Sequence, residues 1–577
     1  METRETITKV LVEITGVKDL KLDVPENSEF GDYSSNVAMT TFENAKTQIP
    51  NAKWGNPGQY AQELAEKLKN DDKLMAVVEK IEIAGLGFIN FFLKKENLIQ
   101  NLEKINTVPE KYGCSSIGTG KTVVIDYSAP NIAKRFSIGH LRSTIIGQAL
   151  YNIYNFLGYK TIGDNHLGDW GTQFGKLLYM IKRESVPDFD IEKLERLYVA
   201  FHEEAAKNPE IENEARNWFK KLEEGDKEAR EIWEKSKDIS LSEFNRIYSR
   251  LGVEIDYAYG ESFYEDKMKD LVAGFENGQL KGLEIGEDGA KIIDLREFGI
   301  NVPLMFLKSD GTTTYATRDL ATLDLRQKKW NPQIIIYEVG AEQTLHFSQV
   351  FAAGKKLGLV SDEVVLHHTK HGLYLGTDGK KFRTRSGSTV KLEEVLDEAV
   401  EKAKKIISKS ETSRGFSKEE VNKLSEVVGI GAIKYFDLMH APQSDIVFDW
   451  DKVVNMEGNS GPYLQYTFAR TQSVIAKAKN TNHEIVKKIG EINSDELSVL
   501  RHLVHFPEVV AEAGEKYAPN LICNYLYELA KRYNSFYNST KIIGGENEPF
   551  DLSLTSATGT VLKSGLSLLG IQAPDKM

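Results

Sequence analysis

The sequence of 577 residues predicts a multidomain α/β protein, with a small α+β domain first, a domain built on a parallel sheet in the centre, and an all-α helical bundle last. Length gives the first reason: one hydrophobic core does not extend over such a chain, and about 100–200 residues per domain implies roughly three to five units. Order gives the second, because strand and helix signals alternate from Lys121 to about residue 395, as a parallel sheet with crossover helices requires. Periodicity gives the third. Beyond residue 395 the strand signals fade, and helices with one apolar face run to the C-terminus.

The first domain is expected over residues 1–110. Helical stretches there alternate with short strands, Lys80-Ile-Glu-Ile-Ala84 and Phe88-Ile-Asn-Phe-Phe-Leu93, around Gly85-Leu-Gly87. A Gly-rich stretch from Tyr112 to Gly120 reads as a linker. The central domain is expected over 121–395, with strands at Thr122–Asp126, Lys160–Gly163, Ile334–Val339 and Val364–His367. A helical insertion at about 190–290 interrupts it, where Leu194, Leu197 and Phe201, then Ile211, Trp218 and Leu222, recur at helical spacing among many charges. Such a charged helical pair reads as scaffold with a solvated face and receives no chemistry. The last part, 396–577, carries amphipathic helices at about 421–438, 461–477, 496–513 and 521–538.

Composition excludes several classes. Hydrophobic residues at 41%, charged residues at 27% and a mean hydropathy of −0.37 are those of a soluble globular chain. No run approaches a membrane span, and Met1-Glu-Thr-Arg-Glu-Thr-Ile lacks an apolar signal core, so a cytoplasmic protein with no membrane partner is expected. Cys114 and Cys523 lie in unrelated segments, which supports neither a disulfide framework nor a metal site. A net charge of −12 argues against a generic nucleic-acid or DNA binder; any RNA contact must be local to one basic face and weaken with salt.

The densest chemistry follows the first central strand. In Ser128-Ala-Pro-Asn-Ile-Ala-Lys-Arg-Phe-Ser-Ile-Gly-His-Leu-Arg-Ser143 the strand breaks at Pro130 and a helix begins near Gly139. A strand, a loop and a helix N-terminus form a place where unpaired N–H groups and the helix dipole hold phosphate. Gly139 removes a Cβ from the approach, and His140 can donate to a phosphate whose charge grows as a bond breaks.

This segment resembles the HIGH signature of class I aminoacyl-tRNA synthetases and, in Ser-Ala-Pro-Asn-Ile-Ala-Lys with Gly-His-Leu-Arg-Ser-Thr-Ile-Ile-Gly, the arginyl version. Glu29-Phe-Gly-Asp-Tyr-Ser-Ser-Asn-Val-Ala38 and Gly85-Leu-Gly-Phe-Ile-Asn90 resemble the N-terminal additional domain of that family, and Asn459-Ser-Gly-Pro-Tyr-Leu-Gln-Tyr466 with Arg470 resembles the opening of its anticodon bundle. The resemblance implies a Rossmann-type catalytic domain and a monomer. It implies ATP with Mg2+ as substrate, with no permanently bound cofactor. L-arginine and tRNA(Arg) would be joined through an arginyl-adenylate, with the first domain touching the tRNA elbow and Tyr463, Tyr466 and Arg470 contacting the anticodon arm. Read without the family, Tyr463, Tyr466 and Phe468 are core residues.

A guanidinium never loses its charge and needs carboxylates as acceptors. Asp126 closes the first strand, where open α/β sheets bind ligands. Asp319 follows Tyr315 at i,i+4 on a helical segment, so the two share a face. Both match the arginyl pattern, as do Asn131 and Gln343; the family more often has glutamate at the position of Asp126. The block Asn165-His-Leu-Gly-Asp-Trp-Gly-Thr-Gln-Phe-Gly175 also matches, and within it Asp169 and Trp170 read as a helix cap.

Two departures stand out. Ser137 replaces the first histidine of HIGH; it can donate one hydrogen bond but carries no charge, so a weaker transition-state contact is expected, and restoring histidine should raise the rate. The KMSKS signature is replaced by Lys380-Lys-Phe-Arg-Thr-Arg-Ser-Gly387. Lys134, upstream of HIGH, would substitute for the absent lysine, with Lys381, Arg383 and Arg385 as further phosphate partners; read locally, this basic loop is simply solvated. Asn131, Lys134, Ser137, Gly139 and His140 thus form the expected ATP site, with Lys134, Ser137 and His140 catalytic. Two alternatives remain: another class I enzyme, such as the cysteinyl type, disfavoured by the missing zinc ligands, and a synthetase-like tRNA binder without activation.

Overall fold

The computed structural model describes residues 2–577 except 26, 50–52, 187, 383–389, 410–414 and 479–489. The first domain comprises α1 (Glu2–Thr15), β1 (Leu22–Asp23), β2 (Tyr33–Ser35), α2 (Val37–Gln48), α3 (Pro57–Lys69), α4 (Asp72–Val77), β3 (Val78–Ala84), β4 (Phe88–Leu93) and α5 (Lys95–Thr107). Its strands pair antiparallel in the order β1-β2-β4-β3. Gly87 turns the β3–β4 hairpin at φ +128, and a Cβ there would lie 3.1 Å from the Pro57 carbonyl.

The central domain opens with β5 (Thr122–Asp126), α6 (Gly139–Phe156), β6 (Lys160–Asp164) and α7 (Thr172–Arg183). The insertion follows as α8 (Ile191–Ala205), α9 (Ile211–Glu223), α10 (Lys227–Leu251) and α11 (Glu265–Glu276). It then departs from the helical expectation: β7 (Leu283–Ile285), β8 (Lys291–Ile293) and β9 (Leu304–Leu307) form a small antiparallel sheet. Strands this short, with Glu284 and Ile285 exposed, leave no alternation long enough to read. After α12 (Tyr315–Trp330), β10 (Ile334–Gly340) and α13 (Thr344–Lys356), β11 (Val365–His371) completes a sheet in the order β11-β10-β5-β6, with every pair parallel. Strand β11 runs to His371, beyond the expected end at His367, and so reaches the C-terminal edge of the sheet.

Both faces of this sheet are covered, as a parallel sheet demands. Val123 and Ile125 point into the core shared with Leu141, Ile145 and Ala149 of α6, while Val124 joins Leu320, Leu323 and Val350 from α12 and α13. Each fully buried Val, Leu or Ile side chain among them contributes about 1.5–3 kcal/mol before entropy is counted.

The remainder contains β12 (Tyr374–Leu375), α14 (Leu392–Ile407), α15 (Lys418–Leu438), β13 (Ile446–Val447), α16 (Trp450–Val453), α17 (Gly461–Lys477), α18 (Ser494–Leu503), α19 (Phe506–Glu515), α20 (Asn520–Ser539) and α21 (Glu548–Leu568). Strand β13 returns to pair in parallel with β12, a link that the fading strand signals did not announce. The first domain docks on the bundle through polar contacts. Arg4 Nη1 lies 3.0 Å from Glu508 Oε2, Tyr33 donates to Glu508 Oε1 at 2.7 Å, and Arg501 Nε lies 3.3 Å from Asp32 Oδ1. Burial pushes the Glu508 carboxyl up, but His505, Tyr33 and Arg4 together hold it below its usual range. Asp32 and Tyr33 of the Glu29–Ala38 segment therefore face the bundle.

Candidate active site

The chain leaves β5 through a backbone that few residues tolerate. Ser128, Ala129 and Ala133 have φ of 75, 44 and 64, left-handed values without glycine to relieve them. Such conformations cost about 1–3 kcal/mol each and persist only where their surroundings enforce them. The enforcing groups are identifiable. Ser128 N–H donates to Ser143 Oγ at 2.9 Å, and its hydroxyl lies 2.8 Å from both Thr144 Oγ1 and Tyr248 Oη. Ala129 N–H donates to Asn165 Oδ1 at 3.0 Å, whose Nδ2 donates to Tyr248 Oη at 2.9 Å, and Ala133 N–H donates to Ser240 Oγ at 2.8 Å.

Ser240 and Tyr248 belong to α10. The insertion read as scaffold thus supplies the clamp for the loop, a role missed because its polar members lie among apolar neighbours such as Phe244 and Ile247. Asp169 is likewise corrected. It is fully buried rather than a cap: it accepts from Ser262 N–H and Oγ at 2.8 Å each and from Lys237 Nζ at 2.7 Å, while α7 starts later, after Gly171. Trp170 is buried against Trp233 and Phe219.

Helix α6 begins at Gly139 with no side-chain cap and no acidic residue in its first turn, which leaves its positive end to an anion. Ser137 N–H donates to His140 Nδ1 at 3.1 Å, and the Ser137 hydroxyl lies 3.0 Å from the same nitrogen. Burial lowers the His140 pKa below its usual value, opposed by the hydrogen bond with Ser137 and aided by the positive charges of Lys134, His371 and Lys381. A neutral ring that accepts at Nδ1 carries its proton on Nε2, so His140 is set as a donor. Ser137 therefore acts on His140 rather than standing free for phosphate.

Asn131 is exposed, its backbone bridged to Gly168, where a Cβ would lie 2.0 Å from Asn131 Oδ1. Lys134 Nζ sits 4.3 Å above the Tyr198 ring of α8. Lys381 is exposed beyond β12; Arg383 and Arg385 lie outside the described residues.

Tyr315 opens α12 after a capping box at Thr314 and is 73% exposed, free to meet a ligand. One turn on, Asp319 Oδ2 lies 2.5 Å from His346 Nε2 of α13. His346 was not singled out in the sequence; its signal is helical spacing, three residues after Gln343, which is exposed. Asp126 ends β5 as expected and is buried. Its Oδ2 accepts from Arg326 Nη2 at 2.6 Å, and Arg326, fully buried, also donates to Asp164 Oδ2 at 2.7 Å. An internal guanidinium already holds the Asp126 carboxylate, which leaves Asp319 as the acidic group at the exposed end.

In the bundle, Tyr463 accepts from Asn534 Nδ2 at 2.9 Å and Phe468 is buried, but Tyr466 is 36% exposed. Arg470 lies 4.9 Å from the Tyr466 ring and 4.7 Å from that of Tyr537, a cation between two aromatic faces. Among the described residues, no helix is long and apolar enough to cross a membrane, and no group of three or more His, Cys, Asp or Glu is placed to hold a metal ion.

A parallel sheet whose first crossover carries a strained loop into the uncapped start of α6, with a helical bundle behind it, defines a class I tRNA synthetase. Residues 102–450 match the family described as tRNA synthetases class I (R), catalytic domain; residues 1–93 match the arginyl tRNA synthetase N terminal domain, and 464–577 the DALR anticodon binding domain. An arginine–tRNA ligase of Fusobacterium nucleatum is 40% identical over 97% of this chain and 96% of its own length. The crystal structure of arginyl-tRNA synthetase from Plasmodium falciparum is similar at a TM-score of 0.86 and 27% identity, covering 100% of this chain and 99% of that one. Thermus thermophilus arginyl-tRNA synthetase shares the fold, with a TM-score of 0.81 at 23% identity and 100% of both chains covered. The chain belongs to the arginyl-tRNA synthetase family.

Proposed function

We propose that this chain attaches L-arginine to tRNA(Arg) at the expense of ATP, through an arginyl-adenylate. The observation that carries the reading is the pairing of Tyr315 and Asp319 on one face of α12, with Asp319 oriented by His346, at the same edge of the sheet as the α6 N-terminus. Asp319 meets the guanidinium with a charge-assisted hydrogen bond, Tyr315 lies along the stem, and Gln343 and Asn131 bind the α-groups.

Activation is in-line attack of the arginine carboxylate on the α-phosphate, so the protein's task is positioning and neutralisation of charge. His140 donates from Nε2 to the phosphate as its charge grows, and the dipole of α6 adds positive potential at the same end. Lys134 and Lys381 supply positive charge, and Mg2+ arrives with ATP. The first domain and the Tyr466–Arg470 surface meet the tRNA, and the protein works as a cytoplasmic monomer without a DNA partner.

The test is exchange of labelled pyrophosphate into ATP, with arginine and with or without cognate tRNA. Arginine-dependent exchange supports the reading. No exchange in either condition, with tRNA still bound, would instead make this a tRNA binder without activation.

A further inference from the structure

His371 is the last residue of β11 and pairs in register with Gly340, at the edge of the sheet where β5 gives way to the 127–138 loop. Its Nδ1 lies 3.2 Å and 3.0 Å from the two carboxylate oxygens of Glu338. Glu338 is fully buried on β10, and its main-chain carbonyl accepts from Ser143 Oγ, in the opening turns of α6, at 2.8 Å. The carboxylate therefore sits beneath the start of α6 with His371 against it. Among the described residues, His371 is its hydrogen-bond partner.

A buried carboxylate without a cation is costly, so Glu338 favours the charged imidazole. Burial works in the other direction, yet Glu338 prevails, and the His371 pKa lies above its usual value. With Nδ1–H directed to Glu338, the remaining N–H is on Nε2, which makes no hydrogen bond among the described residues; the side chain is 13% exposed. His371 lies within electrostatic range of His140 and of Arg142. Ser137, in contrast, is neutral and committed to His140.

We propose that His371, paired with Glu338, contacts the ATP phosphates through Nε2 and supplies the positive charge that Ser137 does not. This rests on the reading that the triphosphate lies before α6. The site would thus hold two imidazoles in distinct roles, a neutral donor at His140 and a cation at His371, which arrives from a strand more than two hundred residues downstream.

The test is a cycle of four full-length proteins: the parent, His371→Phe, Ser137→His and the double variant. Each is compared by arginine-dependent pyrophosphate exchange with tRNA, after melting temperature and tRNA binding are matched. Loss of one charged contact to a developing oxyanion predicts a fall of about 10–100-fold in the exchange rate for His371→Phe, with the KM for arginine unchanged. Ser137→His should raise the rate more in the His371→Phe background than in the parent, recovering at least about tenfold of the loss there, with tighter inhibition by inorganic pyrophosphate as a second readout. His371→Gln, which keeps a donor but not the charge, should fall with His371→Phe. An unchanged rate in His371→Phe, or a loss that Ser137→His does not recover, would overturn the proposal. Absence of exchange in the parent itself would instead remove the functional reading on which it rests.

Discussion

His346 holds one oxygen of the Asp319 carboxylate at 2.5 Å, and among the described residues the other accepts no hydrogen bond. A carboxylate fixed in this way presents its second oxygen without the entropy loss of ordering itself around a ligand. His346→Ala should therefore raise the KM for arginine about 5–20-fold, while Asp319→Asn, which removes the charge, should raise it about 10–100-fold. The KM for ATP should change little in either, as measured by pyrophosphate exchange.

The strained loop depends on Tyr248, whose hydroxyl serves both Ser128 and Asn165. Tyr248→Phe leaves buried partners unsatisfied and should lower stability by about 1–3 kcal/mol. If the clamp acts on the nucleotide site, the KM for ATP should rise by more than that for arginine. Thermal melting with both KM values separates this outcome from a general loss of stability, in which neither KM shifts.

Asp551 and Glu496 are buried carboxyls in the bundle, on α21 and α18. Burial, then the hydrogen bond and charge of Glu496, raises the Asp551 pKa to about 8. A carboxyl whose folded pKa is raised contributes stability below its unfolded pKa, near 4, and loses it as pH climbs toward 8. Asp551→Asn removes this ionisation. Its Tm should exceed that of the parent at pH 8 by about 2 °C or more and match it near pH 4; equal melting curves at pH 8 would show that the proton is not shared.

Local features were legible in the sequence, and long-range ones were not. The Ser128–Ser143 segment, the Tyr315–Asp319 face and the strands of the parallel sheet each lie within one contiguous stretch, where turn chemistry and periodicity act. The partners that give these residues their roles come from elsewhere. Arg326 reaches Asp126 across 200 positions and Ser240 reaches Ala133 across 107, and each is hidden within a helix whose pattern reports only an apolar face. Asp126 shows the same limit: a carboxylate at a strand end is legible, but the buried guanidinium that meets its Oδ2 is not. Asp32 and Tyr33 likewise meet partners far along the chain, Arg501 and Glu508 of the bundle.

The most direct measurement is charging of tRNA(Arg) with labelled arginine beside labelled citrulline, its neutral isostere, at equal concentration. Selection through Asp319 predicts that arginine is attached and that citrulline is rejected by about 100-fold or more in kcat/KM, since its ureido group leaves the carboxylate without a cation. Equal use of both, or attachment of neither, would contradict the account.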